Sequence, residues 1–467
     1  MKTSTQFYHS VYLDPKYCEG CINCIKRCPT RALRVRNGMA RVISQYCIDC
    51  GECIRHCPHN AKKTRRKGLE TLDQFKYKVA LPPPELYSQF NNVRDTNLIL
   101  TALKRIGFDD VFEVSGAAEL VSEETRKYVK NNKDKWPIIS THCPSVTRLI
   151  RVRFPSLVEH LLPVRSPQDV AAELARQKAV RETGLPSEDI GIFFISPCPS
   201  KIANVVDPIG LEESQIDVGL AIKDIYPKLL AALKELDEDE VEDLAISGRI
   251  GVGWGISGGE SAGLFTFDYL ASDGIENVIN VLEDLEDEKI SNQLKFIEPT
   301  ACSGGCVGGT LNVENPYIAT SKNHYINKDM PISVACEEDY EADYKLDFAW
   351  ETPIEYIPVY QLSESITESM AKMLEREEIL EDLPKLDCGS CGAPTCKTFA
   401  EDVVRGFAKK EDCIYLMRNE YKELLKRSQL LNKKKAEDRE KKIEEEKKEE
   451  QKLLAGQKLM KLKMPEE

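Results

Sequence analysis

The chain has 467 residues, which at about 150 residues per domain predicts about three domains. Its 64 Lys+Arg against 77 Asp+Glu leave a net charge of −13, and an acidic balance argues against broad nucleic-acid binding, which works by neutralising phosphates. A hydrophobic fraction of 42% excludes a chain disordered throughout, and no apolar run is long enough for a membrane span. Residues 1–17 lack the apolar core of an export signal, so a reducing cytoplasm is the expected location. Seventeen cysteines in regular clumps then mean metal rather than a disulfide scaffold.

The first clump repeats. Cys18-x2-Cys21-x2-Cys24-x3-Cys28-Pro29 recurs as Cys47-x2-Cys50-x2-Cys53-x3-Cys57-Pro58. This is the two-cluster bacterial-ferredoxin spacing, in which each repeat lends its fourth thiolate to the other cluster. One 4Fe–4S cluster is therefore assigned Cys18, Cys21, Cys24 and Cys57, and the second Cys47, Cys50, Cys53 and Cys28. Eight cysteines so spaced argue against a structural zinc site. Between the repeats, Asn37-Gly38 flanked by short apolar runs predicts a hairpin. The segment 1–75 reads as an α+β ferredoxin-like domain.

Residues 76–365 alternate short apolar runs with helical patterns. Lys78–Leu81, Trp136–Ser140 and Gly191–Ile195 read as buried strands, Thr96–Ile106 and Glu119–Lys130 as helices. Alternation of this kind predicts an α/β fold with parallel sheet, large enough for two lobes. Four cysteines lie far apart in loop-like runs: Thr141-His142-Cys143-Pro144, Ser196-Pro197-Cys198-Pro199-Ser200-Lys201 and Thr300-Ala301-Cys302-Ser303-Gly304-Gly305-Cys306. If they converge they make one more iron–sulfur site, and spacing carries the reading no further. Gly253-Trp254-Gly255-Ile256-Ser257-Gly258 matches the dinucleotide fingerprint, which has meaning only after a strand and at the opening of a helix.

Residues 380–417 hold Cys388-x2-Cys391-x4-Cys396-x16-Cys413. Four thiolates suit zinc or a 4Fe–4S cluster equally by spacing. The run resembles a small four-cysteine iron–sulfur domain of several redox proteins, which implies 4Fe–4S. In the tail 418–467 an apolar stripe at Leu424, Leu425, Leu430 and Leu431 lapses until Ile443 and resumes at Leu453 and Leu454. That is too broken for a sustained coiled coil. The tail reads as a long, partly frayed charged helix or as a docking or homodimerising element. Cys336 is left over as an ordinary buried thiol.

The three cysteine loops, in this order, resemble those of the FeFe-hydrogenase large subunit, whose patterns are Thr-Ser-Cys-Cys-Pro-x-Trp, Met-Pro-Cys-x-x-Lys-x-x-Glu and Glu-x-Met-x-Cys-x-Gly-Gly-Cys. The resemblance implies an active cluster between two lobes. In it Cys143, Cys198, Cys302 and Cys306 hold a cube, and Cys306 bridges to a two-iron unit carrying carbon monoxide, cyanide and azadithiolate (together the H-cluster). It also implies that Lys201 donates to a cyanide, a charge-assisted contact, and that Pro197 and Ala301 shape the pocket. The departures matter as much. His142 stands where the family has its proton-relay cysteine, Asn204 where it has a glutamate, Ser196 and Thr300 where it has methionines, and Val146 where it has tryptophan. An ungapped pairing puts Glu124 on one proton-path glutamate and Lys127 on the other.

Proton-transfer assistance is typically worth about 10² to 10⁴ in rate, so the expected function is a slow, reversible reaction with H2. With the extra four-cysteine domain and tail, the chain resembles the sensory or regulatory branch of the family. Such a protein exchanges electrons with a ferredoxin-like carrier or signals to a partner protein. The alternative is an electron-transfer or assembly-type iron–sulfur protein lacking the diiron unit.

Overall fold

The computed structural model describes residues 8–290, 293–336, 344, 346–363 and 365–461. Two compact units are present, Met1–Gln361 and Leu362–Glu467. In the first, β1 (Val11–Leu13) pairs antiparallel with β4 (Lys62–Thr64), and β2 (Leu33–Arg36) with β3 (Met39–Val42). The β2–β3 turn is Asn37-Gly38, with φ of 53° and 73°, the left-handed pair that a two-residue hairpin requires. Around it Cys24, Ile25, Leu33 and Ala40 make a small core.

The rest of this unit carries two parallel sheets. The first runs β6 (Asp110–Val111), β5 (Tyr77–Leu81), β8 (Ile190–Ser196), β9 (Val218–Ala221). The second runs β10 (Tyr269–Asp273), β11 (Phe296–Thr300), β7 (Ile138–Ile139). This is the expected α/β architecture.

β8 is buried at all of its seven positions, because helices cover both faces of its sheet. Ile192 and Phe194 face a core shared with helices Val114–Asn131 and Pro167–Thr183. Phe193 and Ile195 face another, shared with Thr96–Arg105 and Ile222–Glu235. A third core gathers Ile139, Val146, Leu149, Val278 and Leu282, and takes in Ile48 from between the ferredoxin-type cysteines. The cysteine repeat is therefore built onto the α/β part through apolar contact.

In the second unit, helices Ile366–Asp382 and Cys396–Val404 bury Ile379, Leu383, Ala393 and Phe399 with Cys413. The tail is one helix, Ile414–Lys461, where partial fraying was predicted. Pairs one turn apart such as Lys448–Glu444, at 3.2 Å, support it. Its Leu424, Leu425, Leu430, Leu431, Ile443, Leu453 and Leu454 are all exposed. Among the described residues no helix is long and apolar enough to cross a membrane.

Candidate metal centres

The structure brings the ferredoxin-type thiols into two groups. Cys28, Cys47, Cys50 and Cys53 line one cavity, and Cys18, Cys21, Cys24 and Cys57 another. Burial pushes the Cys24 thiol up to about 11 and the Cys53 thiol up to about 12. Neutral thiols therefore prevail unless a metal ion displaces their protons. In the second unit Cys391 and Cys396 pack on the core that buries Cys413, while Cys388 is exposed.

The scattered cysteines meet because of where parallel strands end. In open parallel sheets, ligands sit outside the carboxyl ends of the strands. β7 leads into Cys143, β8 into Cys198 and β11 into Cys302 and Cys306. Cys143 and Cys198 are N-cap residues of helices Pro144–Arg153 and Pro199–Val206, each with proline at the first position. Proline keeps the residue before it extended and pre-sets the helix, and Cys198 turns its sulfur onto the helix N-terminus, where it accepts from Lys201 N, a contact that favours a thiolate. Burial, opposed by the Lys201 charge, pushes Cys198 up to about 11. Burial also drives Cys302 and Cys306 upward, and the anionic forms of Cys143 and Cys198 push both further.

The third loop closes on the glycine stretch. Gly305 has φ of 88°, and a Cβ there would lie 2.5 Å from the Ser257 nitrogen. Ser257 N donates to Gly304 O, and Val307 N to Gly255 O. The dinucleotide-like glycines thus lie between helices Arg249–Gly253 and Gly259–Ala262 with no strand before them. Their role is close backbone approach to the Cys306 loop.

Lys201 is buried, with its ammonium 3.4 Å from Glu85 Oε1. Burial pulls this ammonium down, but anionic Cys306, Glu85, Cys198 and Cys143 outweigh it and the net shift is upward. His142 Nε2 lies 3.2 Å from Cys306 Sγ, and its ring meets Trp254 edge-to-face at 4.6 Å. Burial, with the Lys201 charge beside it, holds His142 well below its ordinary value.

Other predicted site residues are placed differently. Ser196 Oγ donates to Cys198 O, and Thr300 Oγ1 to Ser272 O, so both hydroxyls are engaged by backbone. Pro197 supplies a carbonyl to Leu311 N, Ala301 and Val146 lie in the third core, and Asn204 Oδ1 accepts from Ile209 N. Glu124 is partly exposed and lies 3.7 Å from Lys127. Cys336 is half-buried.

Among the buried carboxylates that sequence reasoning missed are Glu85, Glu119 and Glu260. Glu85 follows the Pro82-Pro83-Pro84 run at the end of β5, a signal that a chemistry-bearing residue stands where backbone direction is constrained. Glu260 Oε2 accepts from Ser140 Oγ at 2.5 Å, and Glu298 accepts from Gly258 N and Ser261 N.

Burial, and for Glu260 the charge of Glu298 beside it, raises both carboxyls above their ordinary value of 4.5. Folded protein then holds a proton that unfolded chain has lost, so stability falls as pH rises from about 4.5 through the raised folded values. Glu260→Gln is expected to flatten that fall between pH 5 and 7, by up to about 1.4 kcal/mol per pH unit. Urea midpoints at pH 5, 6 and 7 check it, and an unchanged slope rejects it.

Converging, partly buried thiols at the ends of parallel strands, beside a two-cluster cysteine repeat, define an iron–sulfur protein. Residues 77–267 and 261–310, together half of the chain, match the iron-only hydrogenase large subunit, C-terminal domain. The chain belongs to that family. Residues 10–58 match a 4Fe-4S dicluster domain and 383–415 an Fe-S cluster domain.

Iron hydrogenase 1 of Clostridium pasteurianum is 24% identical over 270 residues, covering 48% of this chain and 47% of that one. The NADP-reducing hydrogenase subunit HndD of Solidesulfovibrio fructosivorans is 25% identical over 262 residues, with 46% and 45% covered. The human nuclear prelamin A recognition factor is 23% identical over 287 residues, with 50% and 62% covered. The chain thus spans about half the length of the two hydrogenases. Among solved structures, the [FeFe]-hydrogenase HydA1 of Chlamydomonas reinhardtii overlays with a TM-score of 0.43 at 14% identity, covering 55% of this chain and 87% of that one.

Proposed function

We propose that the chain is an H2-reactive iron–sulfur oxidoreductase of low turnover, acting as a sensing or regulatory hydrogenase. The observation that carries this reading is Lys201, buried at 5% exposure within electrostatic reach of Cys143, Cys198 and Cys306. A lysine is not buried among thiols without something anionic to meet. The residues fit a cube held by Cys143, Cys198, Cys302 and Cys306, with Lys201 toward a bound anion. A two-iron unit on Cys306, carrying carbon monoxide, cyanide and azadithiolate, would supply cleavage of H2 when bound.

The chain's own residues then do three things. The loops hold the four thiols partly buried. Lys201 orients an anionic ligand by donating from Nζ. His142 presents Nε2 to Cys306 as a neutral imidazole, a weak proton store compared with one poised near neutrality, which accounts for low turnover.

Cys28, Cys47, Cys50 and Cys53 would hold the neighbouring cluster, which would supply the next electron-transfer centre. Cys50 and Cys143 pack on the same core, and Arg55 donates to Gly308 O in the Cys306 loop at 2.6 Å. Cys18, Cys21, Cys24 and Cys57 would hold a second cluster, and a ferredoxin-like carrier or a signalling partner would take the electrons; the exposed tail helix is a docking element of its own unit. The C-terminal cysteines hold a further 4Fe–4S cluster.

The second reading, a cube-only electron-transfer or assembly-type protein, is favoured by the Glu85–Lys201 pair, which already neutralises the ammonium. The infrared spectrum of protein produced with the diiron maturation enzymes separates the two. Carbon monoxide and cyanide bands that shift under H2 are expected, with iron above the roughly sixteen atoms of four cubes. Absence of those bands after full maturation removes the hydrogenase reading.

A further inference from the structure

Glu85 is wholly buried, and while its Oε1 faces Lys201 its Oε2 has no partner. A buried carboxylate oxygen left unpaired costs on the order of 1–3 kcal/mol or more, so something is expected to meet it. Its near neighbours are metal-ligating types. A Glu85 oxygen, a His142 ring nitrogen and Cys306 Sγ all lie within 4.8 Å of one another. The second ring nitrogen of His142, Nδ1, is also buried without a partner. A tetrahedral ion with ligand bonds of about 2.0–2.3 Å sets its donors about 3.3–3.8 Å apart. The 3.2 Å between His142 Nε2 and Cys306 Sγ is already close to that, and the Glu85 oxygen lies within 4.8 Å of both.

We propose that Glu85, His142 and Cys306 form a mononuclear divalent-metal site, with Cys306 Sγ bridging that ion to the cube. One imidazole, one carboxylate and one thiolate make a borderline donor set that suits Zn2+ or Fe2+. Three protein ligands leave the fourth position to water or a small anion beside Lys201. Binding is coordination alone and needs no electron donor or acceptor. The site rests on the cube of the proposed function and competes with the two-iron unit, because both need the outward lone pair of the Cys306 sulfur.

The test uses full-length protein produced without diiron maturation and reconstituted to four cubes, as read by iron count, then equilibrated with Zn2+ alone. One zinc per chain is expected to survive a weak chelator. Its X-ray absorption is expected to show one sulfur and otherwise nitrogen and oxygen neighbours. Glu85→Gln and His142→Ala are each expected to weaken zinc binding about tenfold or more at unchanged iron content, which also reports that they fold. Zinc held equally by both variants, held in an all-sulfur shell, or not held at all overturns the proposal. An iron count short of four cubes before zinc is added overturns the cube assignment itself, and the site with it.

Discussion

Replacing Arg148 with methionine is expected to destabilise the protein by about 3–5 kcal/mol, the usual result of stripping one partner from a buried ion pair. Arg148 Nη1 donates to Asp49 Oδ2 at 3.2 Å, with the two side chains 3% and 0% exposed. Asp49 lies between Cys47 and Cys50 and also accepts from Ser10 N, Val11 N and His9 Nδ1. Arg148 lies on the helix that begins just after Cys143. The pair therefore joins the ferredoxin-type cluster loop to the loop of the scattered cysteines, and methionine leaves the carboxylate buried with only His9, the Ser10 hydroxyl and backbone N–H groups as partners. Anaerobic urea midpoints read by circular dichroism measure the loss. A change below about 1 kcal/mol contradicts the argument.

Glu119→Ala is expected to cost on the order of 4 kcal/mol. Glu119 Oε1 accepts from Gly248 N and Gly251 N, and Oε2 from Ser333 Oγ, Val334 N and Ala335 N. Alanine leaves several buried backbone N–H groups without acceptors, at about 1–3 kcal/mol for each that water does not reach. The effect extends to the metal centre. One turn along the helix, Ser122 Oγ accepts from Trp254 Nε1, and Trp254 steadies the His142 ring. The urea midpoint is again the measurement, and Glu119→Gln, which turns an amide N–H toward those same donors, is expected to recover little of the loss. Recovery of most of it by glutamine would show that shape, not acceptor capacity, is what the site needs.

Much of the fold is legible locally. The strands at Tyr77–Leu81 and Ile190–Ser196 coincide with continuous apolar runs because both faces of their sheet are covered. The Asn37-Gly38 hairpin follows from two left-handed residues in succession. The ferredoxin-type thiols are paired in sequence by the same spacing that groups them in space.

The scattered centre divides differently. Cys143 and Cys198 carry a local mark, proline next in the chain. Glu85 carries a weaker one, the prolines before it, and Glu119 and Glu260 carry none, because a carboxylate in an α/β chain is ordinarily solvated and only packing reveals which ones are buried. Glu124 illustrates the converse: counting along the chain set it on a proton path, while the helix turns it to the partly exposed face beside Lys127.

The sequence by itself determined the chemical inventory: sixteen thiols in sets whose spacing or neighbouring residues suit iron–sulfur clusters, a lysine three residues past one of them, and a histidine directly before another. Only the tertiary structure decided who faces whom. Four strand ends from two sheets bring Cys143, Cys198, Cys306 and Glu85 into one neighbourhood, where a buried charge must find its opposite. That is why Lys201 meets Glu85 and why His142 lies against the Cys306 sulfur. Chain spacing encodes contacts within a turn or a loop, whereas contacts between strand ends more than a hundred residues apart exist only once both sheets have formed.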